Sequence, residues 1–318
     1  MKNIFLIILF VTFTCFAASE KDSIPSPHYR ALFYNLLLDD CDACGCSANG
    51  GSMGFSSLLT TNFVGIRYVY QSYNTKQGVF ANSPWVDEHF NTVQVWARIP
   101  ITSNVQLTVL LPYHQINRLL SSGENQIEGL GDLSLMGLYT LFQTRKDSTL
   151  FVHKIQVGSG IKFPTGKNSI LNNGTLNPSF QLGTGSWDYL FLSEYVVKRK
   201  KLGLNANFNY TIKSENDMYY QFGNQLNYAS TVFYLLELKK IKLMPQLGIA
   251  GEVYDSNKQL GQVVVGTKGD ILFSKIGLEL GKKNFSLGIN SMLPVVQHLT
   301  DGNVRANSRW AINLNYQL

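Results

Sequence analysis

The sequence lacks any apolar run long enough to cross a bilayer as a helix. After Phe13 no segment offers the roughly 20 uninterrupted apolar residues such a helix requires. Charge is sparse, at 15% Asp, Glu, Lys and Arg, and so is proline, with 9 in 318 residues. Helix-favouring runs of Ala, Leu, Glu and Lys are nearly absent, which argues against a helical enzyme. Cysteine is scarce and uneven: of 4 in the chain, three stand within the six residues Cys41 to Cys46. What is plentiful suits strands, tight turns and aromatic girdles, namely 16 Tyr, 19 Phe, 4 Trp and 27 Gly.

The first residues read as an export leader. Met1-Lys2-Asn3 precedes an uncharged stretch from Ile4 to Phe13, then small residues at Ala17 and Ala18 and the polar Ser19-Glu20-Lys21-Asp22. That pattern predicts a signal peptide over residues 1–18. Lipidation at Cys15 is the weaker alternative, because Thr12-Phe13-Thr14 is a poor small-residue box. The formal net charge is +6, or +5 once Lys2 is removed with the leader. Export makes nucleic acid an improbable partner for that charge. An exported chain without an apolar helix is either soluble or a barrel.

After residue 60 the sequence alternates with period two, the pattern of strands with one apolar and one polar face. In one segment Leu202, Leu204, Ala206, Phe208, Tyr210 and Ile212 alternate with Gly203, Asn205, Asn207, Asn209, Thr211 and Lys213. The segment Trp310 to Leu318 repeats it, as do those around Val105 to Tyr113 and Ile241 to Ile249. The connections alternate between short and long. Short ones are expected at residues 100–104, 145–149, 198–201, 237–240 and 281–284, and long ones at 72–88, 116–130, 164–186, 213–219, 254–269 and 294–308. Eleven connections give twelve strands. An even count with tight turns on one rim and long loops on the other is the pattern of an outer-membrane barrel, tight turns towards the periplasm. The expected fold is therefore all-β, a transmembrane antiparallel up-and-down β-barrel over residues 55–318. A soluble sandwich or lipocalin-like barrel is the alternative.

Aromatic residues gather near strand ends, at Tyr68, Tyr70, Tyr113, Trp187, Tyr189, Tyr210, Tyr219, Tyr220, Trp310 and Tyr316, where an interfacial girdle would sit. The basic clusters Arg145-Lys146, Lys198 to Lys201, Lys239-Lys240 and Lys282-Lys283 all fall in the short turns. Solvation of the periplasmic rim explains them before a binding patch does.

Three segments carry a family resemblance: Gly129-Leu130-Gly131-Asp132-Leu133-Ser134-Leu135, Gly160 to Lys167 with its Lys162-Phe163-Pro164-Thr165-Gly166, and Gln181-Leu182-Gly183-Thr184-Gly185-Ser186-Trp187-Asp188. With Pro294 to His298, Asp301-Gly302 and the final Asn315-Tyr316, they resemble the outer-membrane transporter family of MetA-type phenol-degradation pathway proteins. The resemblance implies a twelve-strand barrel that transports a small solute, inserted among outer-membrane lipid by the barrel-assembly machinery. The family usually ends in an aromatic residue, whereas this chain ends in Leu318. Read physically, the glycines are loop chemistry, without the following helix a phosphate cradle needs.

The one candidate chemical site is Cys41-Asp42-Ala43-Cys44-Gly45-Cys46, within an N-terminal segment 19–54 that also carries a short predicted helix over Tyr29 to Leu38. Two readings stand open. Two of the three thiols pair in the disulfide-permissive periplasm, or Cys41, Cys44 and Cys46 hold a soft metal, with Cu(I) ahead of zinc. The motif is similar to that of a Bacteroidetes-like subgroup with an N-terminal CxxCxC from copper-related gene sets, which would make a periplasmic metal protein a partner.

The expected lumen lining is Arg67, Arg98, Lys154, Lys162, Asn205, Asn207, Asn209, Gln246, Asn313 and Asn315, together with Gln106, Gln156 and Gln225. Such residues tune passage and catalyse nothing. The expected function is a solute channel. The other readings are a non-conducting barrel that docks a periplasmic partner, and a barrel hydrolase. For the last, Gly50-Gly51-Ser52-Met53-Gly54 matches Gly-x-Ser-x-Gly only formally, and His28, His89, His114, His153 and His298 are scattered without a serine partner. His114 and His298 are expected to be solvated near the rims.

Overall fold

A computed structural model describes residues 57–318, apart from 77–81, 121–122, 145–150, 173–174 and 179. The signal peptide, the predicted helix, the cysteine segment and the Gly-x-Ser-x-Gly match lie outside the described residues.

Twelve antiparallel staves close on themselves. They are β1 (Phe63–Lys76), β2 (Trp85–Pro100), β3 (Val105–Leu120), β4 (Gly123–Leu130, resuming as Leu133–Gln143), β5 (Val152–Phe163), β6 (Asp188–Arg199), β7 (Leu202–Lys213), β8 (Gln225–Tyr234, resuming as Leu236–Leu238), β9 (Ile241–Tyr254), β10 (Gly269–Lys282), β11 (Phe285–Leu299) and β12 (Val304–Gln317). Each pairs with its sequence neighbours, and β1 pairs with β12 from Phe63 opposite Gln317 to Thr75 opposite Val304, which closes the barrel. Closure leaves no free edge, the condition for a sheet to stand in hydrocarbon.

The inside-out arrangement follows from the alternation. On β1 the inward residues are Phe63, Gly65, Arg67, Val69, Gln71, Tyr73 and Thr75, while Val64 and Ile66 face out. Around the barrel the outward face is apolar and exposed, as at Val95, Phe191, Phe208, Leu247, Ile276 and Ile289, and the inward face is largely polar. Water would expel that outer belt and a bilayer accepts it. Girdle aromatics pair on this face: Trp310 lies 5.2 Å from Tyr68 and 5.6 Å from Tyr70, and Phe285 lies 5.2 Å from Tyr316.

Three expectations need correction. Residues 116–130 and 294–308 are mostly paired strand and not long loops, since only 121–122 separate β3 from β4 and only 300–303 separate β11 from β12. The alternation simply continues past the bilayer span, with Ile116 and Ile127 still buried inside. Tyr220 is no girdle residue. It is buried in a three-stranded loop sheet (220–221, 258–259, 262–263), where its ring meets Phe222 and its hydroxyl accepts a 2.7 Å bond from Asn257. His114 is not solvated but buried inside β3, with Nδ1 2.9 Å from the Thr92 hydroxyl. Its even number puts it in phase with the inward Gln106 and Thr108.

Candidate functional site: the barrel interior

The inner wall carries the polar chemistry of the chain. Arg98 on β2 reaches Glu194 on β6 across the interior at 3.2 Å. Asn205 donates to the same carboxylate at 2.9 Å and Asn207 donates to Asn205 at 3.2 Å. Arg67 bonds Gln94 at 3.1 Å and lies 4.4 Å over the Trp96 ring. Gln246 donates to Glu279 at 3.3 Å, Asn315 donates to Ser286 at 3.3 Å, and Asn209 accepts from Thr211 at 3.2 Å. Asn313 is buried and Lys154 half-buried on the same inward-facing side. Several buried amide atoms find no protein partner, among them Nδ2 of Asn209, Asn227 and Asn313 and the side-chain oxygens of Gln246, Asn290 and Asn315. Water in a hydrated interior would satisfy such groups.

At the long-loop end the three glycine motifs converge on one polar knot. Lys162 Nζ lies 2.8 Å from Asp132 and 2.7 Å from Asp188, and also donates to Thr184. Asp132 in turn accepts from the backbone of Gly166 at 2.9 Å and of Thr184 at 3.0 Å. Ser186 donates to Asp188 at 2.8 Å. Glycine is required here for close approach: a Cβ on Gly166 would come within 2.8 Å of Gly183 Cα, and one on Gly183 within 2.7 Å of Gly166 Cα. The knot anchors the described residues of 164–187, of which Phe180 to Leu182 turn inward. Phe180 is fully buried and Leu182 nearly so, packed with inward side chains from staves all round the mouth, including Val69, Phe90, Ile116, Phe273 and Leu299. Gln181 staples the segment through Ile170 and Asn177, at 2.8–2.9 Å.

Two further ion pairs brace this apolar layer. Arg118 meets Glu88 at 2.9 Å and sits 5.5 Å over the Phe180 ring. Arg309 meets Glu252 at 2.5 Å, bonds the Tyr73 hydroxyl and lies 4.4 Å over Phe273. The sequence reading missed Asp132, Asp188, Glu194, Glu252, Arg309 and Glu279. For Arg309 the signal was present, because it is in phase with Ala311 and Asn313.

At the short-turn end a second segment enters. Ser57 Oγ donates to Glu279 at 2.5 Å, and the amides of Leu58 and Leu59 donate to the same carboxylate at 3.0 and 3.1 Å. Further on, Gln106 on the β3 side donates to Asn62. Residues 57–62 therefore form a strap across the mouth, from the β10 wall to the β3 wall.

This closed apolar-out, polar-in geometry has solved counterparts. The COG4313 outer membrane channel from Pseudomonas putida F1 superposes with a TM-score of 0.59 at 14% identity, over 84% of this chain and 98% of that one. The chain has the fold of an outer-membrane β-barrel. Looser likenesses are the KdgM porin, at TM-score 0.39 and 10% identity over 80% and 99% of the two chains, and the β domain of the Bordetella autotransporter BrkA, at 0.46 and 9% over 81% and 100%. No family model matches the chain, and no curated protein matches it by sequence.

The four described histidines are engaged elsewhere than with serine: His89 with Tyr70, His114 with Thr92, His153 with Tyr195 and His298 with Asp270. Among the described residues no group of three or more His, Cys, Asp or Glu is arranged to hold a metal.

Proposed function

We propose that this barrel is an outer-membrane channel for a small solute whose two mouths are held shut by its own chain. The observation that supports it most is the inner wall: charged and amide side chains line it from Arg98 and Asn205 to Lys162, with amide atoms that only water or solute would satisfy. Arg67, Arg98, Lys154, Lys162, Asn205, Asn207, Asn209, Gln246, Asn313 and Asn315 are the residues we assign to the solute path. The three converging motifs are those that resemble the MetA-type transporter family, which fits the same reading.

Single-channel recording in planar bilayers tests it. The native barrel should conduct weakly, and a variant that frees both closing segments, Asp132→Ala with Glu279→Ala, should conduct several-fold more. A double variant that folds and stays as silent as the native barrel would replace the channel by the second reading, a non-conducting barrel that docks a periplasmic partner. Occupation of both mouths favours that reading.

We further propose that Cys41, Cys44 and Cys46 bind Cu(I), a soft ion that closely spaced thiolates favour. Elemental analysis of anaerobically purified protein should find about one copper per chain, lost when the three are changed to serine. Metal-free native protein would leave the disulfide.

A further inference from the structure

The charges on the inner wall are unequal in number and in how they are held. Four cations, Lys162, Arg118, Arg309 and Arg98, pair with five carboxylates, those of Asp132 and Asp188, Glu88, Glu252 and Glu194 in that order. The sixth inward carboxylate, Glu279, is capped by Ser57 and by the amides of Leu58 and Leu59. Every described wall carboxylate that an entering cation could meet already holds a donor. Arg67, Lys154, Lys213 and Lys275 face inward as well, which brings the described wall to eight cations against six acids.

The excess continues at the short-turn rim. Lys198 and Lys242 are in phase with the inward Glu194 and Gln246, and Glu237 stands opposite Lys242. Lys239, Lys240 and Lys283 border the same mouth around a cavity of about 320 Å³ beside the strap. A positive mouth concentrates anions, and a positive wall passes them ahead of cations. Lys154 is the inward residue of β5 that follows Gln156 towards this mouth, and Gln156 stands opposite Glu194. Lys154 is only half-buried, so its ammonium is within reach of a solute.

The amides of the β7–β8 wall add a second, directional signal. Lys213 can only donate, and it donates to Oε1 of Gln225 at 3.2 Å. That fixes the Gln225 amide, whose Nε2 donates to Oδ1 of Asn227 at 2.8 Å. Nδ2 of Asn227 is left buried with no acceptor in the protein. Asn209, opposite Asn227 in the register, accepts from Thr211 through Oδ1 and is left with Nδ2 in the same way. Two adjacent donors thus lack the oxygen that an oxyanion would bring. Near the strap the polarity reverses, because Glu279 accepts from the Gln246 amide, and the donor pair is confined to β7 and β8.

We infer that the path is selective for small anions, and that Asn209 and Asn227 offer their amide protons to a carboxylate or similar oxyanion. The inference rests on the channel reading above and adds to it the class of solute.

Reversal potentials in planar bilayers under a KCl gradient test it. The full native barrel is compared with Phe180→Ala plus Ser57→Ala, which loosens both closing segments and leaves every charge in place. Chloride should permeate at least about threefold more readily than potassium, and acetate in place of chloride should keep the preference. Lys154→Glu, at a half-buried site, and Asn227→Asp, which keeps the shape and removes the donor, should each lower the ratio towards one. Lys154→Arg should retain it, and heat-modifiable gel migration checks that each variant has folded. A ratio at or below one, exclusion of acetate, or a ratio that neither Lys154→Glu nor Asn227→Asp changes would overturn the inference and leave the channel. Silence of both the native and the loosened barrel would remove the channel itself, and the inference with it.

Discussion

The two mouths of the barrel are crossed by the chain's own segments in different ways. At the long-loop end, the described residues of 164–187 are fixed by a buried lysine between two aspartates and by Phe180 within an apolar layer drawn from most of the staves. At the short-turn end, residues 57–62 hang chiefly on one carboxylate, Glu279, and on Gln106 opposite. The first closure couples ion pairing, backbone hydrogen bonds and apolar burial, so loosening it disturbs the wall itself. The second is a polar clasp that can open without unpacking a stave. A barrel built this way has one mouth that is part of its stability and another that is separable from it.

The sharpest way to break that contrast is Asp132→Ala. It takes one of two carboxylates from the buried Lys162 ammonium and frees two backbone amides, and removal of one partner from a buried pair costs about 3–5 kcal/mol. Thermal unfolding followed by heat-modifiable migration should show the loss, and an unchanged midpoint would mean that the knot does not carry the mouth. Next, Phe180→Ala removes the ring at the centre of the apolar layer, with an expected cost of about 3–5 kcal/mol less whatever the mouth recovers by collapse. Conductance should rise as well, and a rise without destabilisation would make the two mouths alike.

Glu279→Ala should cost less, about 1–3 kcal/mol for the donors left behind, while a cysteine placed at Ser57 should become reactive to a thiol reagent only in that background. Equal labelling with Glu279 in place would show that the strap is not held. Smallest is Lys239→Asn, which relieves a left-handed lysine and should stabilise the hairpin by less than about 1 kcal/mol, measured as a slight upward shift of the same unfolding midpoint.

Strand number, the direction of each face and the closure of the barrel were legible because period-two alternation reports which side of a wall a residue is on. The same reasoning set the inward phase of Asn205, Asn207 and Asn209. What it could not report was distance across the lumen. Arg98 and Glu194 lie on staves far apart in sequence, and nothing local to either announces the other. The glycine motifs were visible as motifs, yet their convergence on Lys162 depends on a loop turning inward, and turn residues alone do not say which way a loop turns. The stretches 116–130 and 294–308 are paired strand despite polar residues such as Asn117, Glu124 and Arg305 within the pairing. Above the bilayer the outward face of a strand meets water, so polar residues there are compatible with pairing.

The strap has a consequence for the order in which the molecule is put together. The seam of the barrel joins β1 to β12, the first and last staves, and the amide of Leu318 reaches the carbonyl of Asn62 at 3.2 Å, where strap and seam meet. Residues 57–62 are therefore enclosed by the same event that joins the two ends of the sheet. If the seam closed first, the strap would have to reach the Glu279 wall across a finished mouth. If the strap docks first, β12 needs only to lie down beside β1. The leading segment is then a template around which the last hairpin completes the cylinder, and the cargo that the barrel first encloses is its own chain.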